Sequence, residues 1–254
     1  MPPDSPAPPR QARVPSVPES GARRGRSAVT TGRPTSPPCM AGEVAPDFFD
    51  PLAIDAQQAL DVARWRRAER SRLDAMRRAL PVAERGAIDA ALADGLDALL
   101  VRRLGDLRGC VVAGYWPIRG EPDLRSWLDR LRGRGAVIAL PVILQRNVPL
   151  GFRRWEAGAR LVRGHWNIPE PLPEAPLIDP DAVLAPCLGW DGAGYRLGHG
   201  GGYFDRTLAV RHPRPLAIGI GLQAARLVTI YPQPHDIRLD AIVTEAGVQH
   251  ESDA

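Results

Sequence analysis

Between positions 198 and 202 the chain reads Gly198-His199-Gly200-Gly201-Gly202, with Arg196 and Leu197 before it and Tyr203, Phe204, Asp205 and Arg206 after it. Glycine loses more conformational freedom on folding than any other residue, so four of them beside so much charge call for a reason. Backbone without side chains can come close to phosphate oxygens, and its N–H groups can donate to them. The loop follows an apolar run at 182–190 and precedes a helix expected from Tyr203. Ligands of open α/β folds collect where strands end and helices begin. A helix N-terminus adds unpaired N–H groups and the positive end of its dipole. The chemistry this pattern suits is the holding of an anion, with phosphate first.

Three familiar loops do not match. A P-loop needs Gly-Lys-Ser/Thr, and the chain has no lysine: all 33 basic residues are arginine. Any cation used here is therefore a guanidinium or an imidazolium. The dinucleotide fingerprint Gly-x-Gly-x-x-Gly fails because Tyr203 stands at the third glycine. His199-Gly200-Gly201-Gly202 resembles the oxyanion loop of lipase-like hydrolases, but no serine lies in the Gly-x-Ser-x-Gly setting those enzymes require.

The elements that must position this loop are legible from apolar patterning. Helices are expected over 55–79 and 82–104, separated at Pro81, then over 122–133 and 203–212. Strands are expected at 110–116, 136–142, 150–155, 182–190, 216–222 and 241–244. Several of these runs are continuously apolar, as in strands covered on both faces. The fold class expected is α/β: a single layered α/β/α domain around a largely parallel sheet, with an N-terminal helical segment. Residues 1–39 carry ten prolines and few large apolar residues, so 1–50 reads as a disordered Pro/Arg-rich extension and 51–254 as the folded domain. Met40 is a possible alternative start.

Charge separates along the same boundary. Residues 1–39 hold six arginines against two acids, and the remainder holds 27 of each, so the net +4 belongs to the tail. Nucleic-acid binding by the folded domain is not expected. No apolar run is long enough to cross a membrane. Cys39, Cys110 and Cys187 show no Cys-x-x-Cys spacing, so neither a disulfide framework nor structural zinc is suggested, and a cytoplasmic location fits. A monomer is the default expectation.

The whole segment Asp191–Leu208, reading DGAGYRLGHGGGYFDRTL, resembles the signature of the 5-formyltetrahydrofolate cyclo-ligases, also called methenyltetrahydrofolate synthetases. Three further segments resemble the family in the same order: Gly114–Asp123 (GYWPIRGEPD), Trp166–Pro171 (WNIPEP), and His235–Asp240 with Val243-Thr244-Glu245. The likeness covers about residues 60–247.

The resemblance implies closure of 5-formyltetrahydrofolate to 5,10-methenyltetrahydrofolate with ATP and Mg2+, through phosphorylation of the formyl oxygen. It implies that Arg196 and Tyr203 act on the reacting groups, and that Arg66, Arg70, Arg196 and the run Leu197–Phe204 hold the nucleotide. Arg66 and Arg70 lie one helical turn apart, and Arg66 replaces a family lysine. On their own they would read as part of a solvated basic face with Arg67, Arg72, Arg77 and Arg78. Trp116, Glu121, Trp166, His199 and Tyr203 are implied for the reduced folate, with the Glu121 carboxylate accepting from the pterin's N–H edge. Asp205 and Asp236 align with magnesium carboxylates. Without the resemblance, Asp205 is an acid in a helix's first turn and Asp236 a loop residue. His199 departs from the basic or aromatic residues of the family at its position, and Phe204 replaces a tyrosine. The alternative reading is a folate-binding or regulatory protein of the same fold with weak catalysis.

Overall fold

Apolar stretches alternate with amphipathic ones, and the chain lays them down in that order. The computed structural model describes residues 56–252; the expected extension 1–50 and Cys39 lie outside the described residues. Helices α1 (Ala56–Arg78) and α2 (Val82–Leu104) come first. Pro81 sits between them at φ −59°, where its missing N–H costs no helical bond. Then follow β1 (Val111–Ala113), α3 (Arg125–Gly133), β2 (Val137–Val142), β3 (Gly151–Arg154), β4 (Leu161–Arg163) and β5 (Pro169–Pro171). The remaining elements are β6 (Ala182–Pro186), β7 (Gly189–Asp191), β8 (Arg196–Leu197), α4 (Tyr203–Val210), β9 (Leu216–Ile220), β10 (Arg226–Leu227), β11 (Ala241–Thr244) and β12 (Gly247–Glu251). Residues from Arg64 onward pack as one unit, and residues 56–63 are the N-terminal turns of α1.

The main sheet has seven strands in the order β12-β11-β9-β6-β1-β2-β3. Its five central strands are parallel, and β3 and β12 close the two edges antiparallel. Side chains alternate across it, as the two-residue period of a strand requires. Ile138, Leu140, Leu184, Ile218, Ile220 and Val243 pack against Leu92, Leu96 and Leu99 of α2 and Leu128 and Leu131 of α3. Their neighbours Ala185, Ala217 and Ile242 face Leu73 of α1 and Leu208 of α4. Helices thus cover both faces, and each fully buried leucine of this core contributes about 1.5–3 kcal/mol.

The expected α/β/α arrangement holds, with local corrections. The run 182–190 is two strands rather than one. After Pro186 the chain leaves the main sheet, and β7 joins a second, three-stranded sheet ordered β10-β7-β8. Cys187, Leu188 and Trp190 stay buried through the change, so the apolar pattern runs on past Pro186 with no polar residue to mark it. The run 110–116 is strand only over Val111–Ala113, which frees Gly114–Glu121 as a loop at the C-terminal edge of the sheet. No described helix is long and apolar enough to cross a membrane.

Candidate functional site

The second sheet delivers the glycine loop. Strand β8 ends at Leu197, and α4 begins at Tyr203 with Gly202 as its N-cap at φ 63°. Gly200, at φ 96°, is also left-handed, a backbone region that side chains with a Cβ rarely adopt. A Cβ on Gly202 would additionally lie 2.8 Å from Nη1 of Arg206. Gly202→Ala is expected to lower stability by about 1–2 kcal/mol, read as a reduced melting temperature. An unchanged melt would show that the cap does not need glycine.

Arginines from two helices and a strand grip this loop. Arg70 of α1 donates from Nε to the carbonyl of Gly198 at 2.8 Å. Arg206 of α4 donates to the carbonyl of Gly201 at 2.5 Å and stacks 4.8 Å from the centre of the Tyr203 ring. Arg196 lies so close to Gly198 that a Cβ there would stand 2.6 Å from its Nη1. Burial, followed by the charge of Arg66, pushes the Arg70 guanidinium below its ordinary value. Such crowding of cations around bare backbone suits a polyanion.

Of the two carboxylates expected to hold metal, Asp205 accepts from Arg196 at 2.8 Å and from the Ile237 N–H at 3.3 Å, so its side chain reaches the backbone adjoining Asp236. Asp236 accepts from Arg66 at 3.2 and 2.5 Å and from the Gln233 N–H at 2.6 Å. Arg66 also donates to the carbonyls of Ile230 and Tyr231 at 3.0 and 2.8 Å, so this cation is spent on holding the 230–236 loop. No cluster of three or more metal-ligating side chains occurs among the described residues. Two carboxylates are what a magnesium ion shared with phosphate oxygens usually takes from a protein, so the donor set fits that ion. Burial pushes the Cys187 thiol up to about 12, which keeps it protonated.

Of the residues expected to meet a folate, Trp166, Tyr203, His199 and Glu121 meet at the loop, and Trp116 packs apart from them. Trp166 is 61% exposed and left-handed at φ 55°; its ring meets that of Tyr203 edge-on, with centroids 5.5 Å apart. A Cβ on Gly201 would stand 3.2 Å from the Trp166 ring, so the indole lies over the loop. The Tyr203 hydroxyl accepts from the Asn147 N–H at 3.4 Å. Trp116 carries Arg125 over its face at 4.7 Å and meets Trp155 edge-on at 6.5 Å. Glu121 is buried, with one oxygen accepting from the Ile118 N–H at 3.0 Å and the other 3.3 Å from Nε2 of His199. Residues 117–123 also line a cavity of about 270 Å³ with Leu80, Ile88 and Leu222. The carboxylate expected for the folate and the glycine loop are therefore in direct contact, through the one loop position that is not glycine.

One residue at this junction escaped sequence reasoning. Arg77, grouped with a solvated basic face of α1, is 2% exposed and lies against both His199 and Glu121. Its neighbour Arg78 does face solvent. In a helix carrying this many arginines, only the burial of Leu73, four residues earlier on the same face, marks Arg77 as inward.

Comparison with known proteins gives this geometry a setting. A family model described as the 5-formyltetrahydrofolate cyclo-ligase family matches residues 62–245. A Mycolicibacterium smegmatis protein named 5-formyltetrahydrofolate cyclo-ligase is 32% identical over 178 residues, covering 66% of this chain and 87% of that protein. An Escherichia coli K12 protein of the same name is 29% identical over 143 residues, covering 54% of this chain and 79% of its own length. The solved structure of Aquifex aeolicus 5,10-methenyltetrahydrofolate synthetase superposes with a TM-score of 0.61 at 26% identity, covering 74% of this chain and 94% of that one. A Mycoplasma pneumoniae 5,10-methenyltetrahydrofolate synthetase shares the fold, with a TM-score of 0.57 at 23% identity over 71% of this chain and 98% of that one.

Proposed function

The chain belongs to the 5-formyltetrahydrofolate cyclo-ligase family, and from that premise we propose how its glycine loop brings about folate ring closure. The enzyme converts 5-formyltetrahydrofolate to a methenyl product. The formyl carbon on N5 is amide-like, and its oxygen is a poor leaving group. With ATP as co-substrate, the formyl oxygen attacks the γ-phosphorus and ADP leaves. N10 then adds to the activated carbon, the carbon–oxygen bond breaks, phosphate departs, and N10 gives up its proton. The protein supplies alignment and charge, with no covalent nucleophile of its own.

The single observation that carries this reading is the 3.3 Å approach of His199 to Glu121. With the pterin on Glu121 and the triphosphate on the loop, the two substrates would be neighbours, as transfer between them requires. In this scheme the Gly198–Gly202 amides, Leu197 and Phe204 frame the phosphates, and Arg70 neutralises them. Arg66 acts by fixing Asp236. Arg196 stands at the transferring group, and Tyr203 and Trp166 flank the reacting formyl. Trp116 packs against the folate. Asp205 and Asp236 would hold magnesium, which neutralises charge on the phosphate oxygens.

Supplying 5-formyltetrahydrofolate, ATP and magnesium is expected to give the near-ultraviolet absorbance of the methenyl product, with one ADP per ring closed. Product formed at the same rate without ATP would remove phosphorylation from the scheme.

A further inference from the structure

We propose that Arg77 is a positioning residue of the folate subsite, holding both the Glu121 carboxylate and the loop that carries it in register for the pterin. This rests on the reading that Glu121 meets the folate. Arg77 acts at three points. Its Nη2 faces Oε1 of Glu121 at 3.8 Å, with the two side chains 2% and 3% exposed. Its Nε donates to the carbonyl of Arg119 at 3.2 Å. Its Nη2 also lies 3.3 Å from Nε2 of His199.

Each contact answers a physical need. A carboxylate withdrawn from water without a countercharge takes up a proton and ceases to be a two-oxygen acceptor. Guanidinium cannot deprotonate, so Arg77 supplies a permanent positive charge at Glu121. The loop itself is backbone-strained: Arg119 is left-handed at φ 49°, followed by Gly120 at φ 75°. Arg77 binds the carbonyl at that turn, and the Glu121 N–H returns to the Ile118 carbonyl at 2.9 Å. His199 Nε2 sits between a group that can only donate and a carboxylate that accepts, so its proton decides which of the two it joins.

The arrangement has a cost that a surface arginine would not incur. Burial pushes the Arg77 guanidinium below its ordinary value, partly offset by Glu121, and Nη1 is buried with no hydrogen-bond partner among the described residues. Buried unpaired donors are rare in folded proteins and tend to mark sites kept for another purpose.

The test is steady-state kinetics on the full chain, with 5-formyltetrahydrofolate varied at saturating ATP. Arg77→Met is expected to raise the folate KM about ten- to hundredfold, as for loss of a charge-assisted contact, while kcat and the ATP KM move little. Arg77→Lys, which keeps charge but not the fork, should recover part of that loss and serves alone if the methionine variant does not fold. Glu121→Gln should raise the same KM. Arg77→Met/Glu121→Gln should fall short of the product of the two single losses, because part of the effect of Arg77 passes through that carboxylate. A Glu121→Gln enzyme with normal folate KM would sink the reading of Glu121 itself. With Glu121→Gln impaired, multiplicative losses in the double variant, or a normal folate KM in either Arg77 variant, would overturn the role of Arg77.

Discussion

Arg196→Ala is expected to cut turnover about a hundred- to a thousandfold, the loss typical when a preorganised charge is removed from a transition state. The chain should still fold, with a lowered melting temperature because Asp205 loses its buried partner. Arg196 is nearly buried, with one face 5.4 Å from the Phe204 ring, and donates to Asp205 at 2.8 Å. A guanidinium so placed is rigid before any ligand arrives, so its charge need not reorganise as phosphate charge develops. Arg196→Lys supplies the control: it keeps the charge without the planar fork, so it should recover part of the lost turnover. Near-normal turnover in Arg196→Ala would take this residue out of the mechanism.

The largest effect on stability is expected from Arg66→Met. Arg66 and Asp236 are each 9% exposed, and substitution strands a buried carboxylate as well as the carbonyls of Ile230 and Tyr231. Losing one partner of such a pair costs about 3–5 kcal/mol, which lowers the melting temperature by about 10 °C in a domain of this size. A drop of only a degree or two would mean the pair is not the clamp its geometry indicates. Acid provides a second reading. Burial, the largest single influence on Asp236, pushes its carboxyl up, but the hydrogen bonds from Arg66 and Gln233 and the Arg66 and His235 charges together bring it below the ordinary carboxylate value. A carboxyl lowered by folding stabilises above its unfolded value, near pH 4, and that contribution fades as pH falls through the folded one. Arg66→Met should therefore lose part of the wild-type dependence of melting temperature on pH in that acid range.

What the sequence disclosed and what it withheld divide along one line. Local patterns were legible: the apolar strands, the Pro81 break, and a glycine loop flanked by Arg196, Asp205 and Arg206. The resemblance brought Glu121, Trp166 and Asp236 onto the same list. Contacts made across the fold left no local trace. Arg66 meets Asp236 across 170 positions, and Arg77 meets His199 across 122. In α1 both arginines look like their exposed neighbours, because helical periodicity is read from apolar residues and an inward cation breaks that pattern. The split of 182–190 was hidden for the opposite reason, since both halves are buried. The left-handed turn at Trp166 continues through Asn167 at φ 62°; the asparagine is a turn-forming type, but the bulky indole before it is not.

The grip of Arg70 and Arg206 on the carbonyls of Gly198 and Gly201 reaches further than anchorage. In a planar trans peptide the oxygen and the hydrogen lie on opposite sides, so each guanidinium sits at the negative end of a dipole whose positive end is the N–H of His199 or Gly202. Drawing electron density toward the oxygen sharpens the acidity of the hydrogen opposite, the mutual polarisation that strengthens chained hydrogen bonds. Even before touching an incoming anion, the two cations would thus tighten its hold, transmitting their charge through the peptide plane itself.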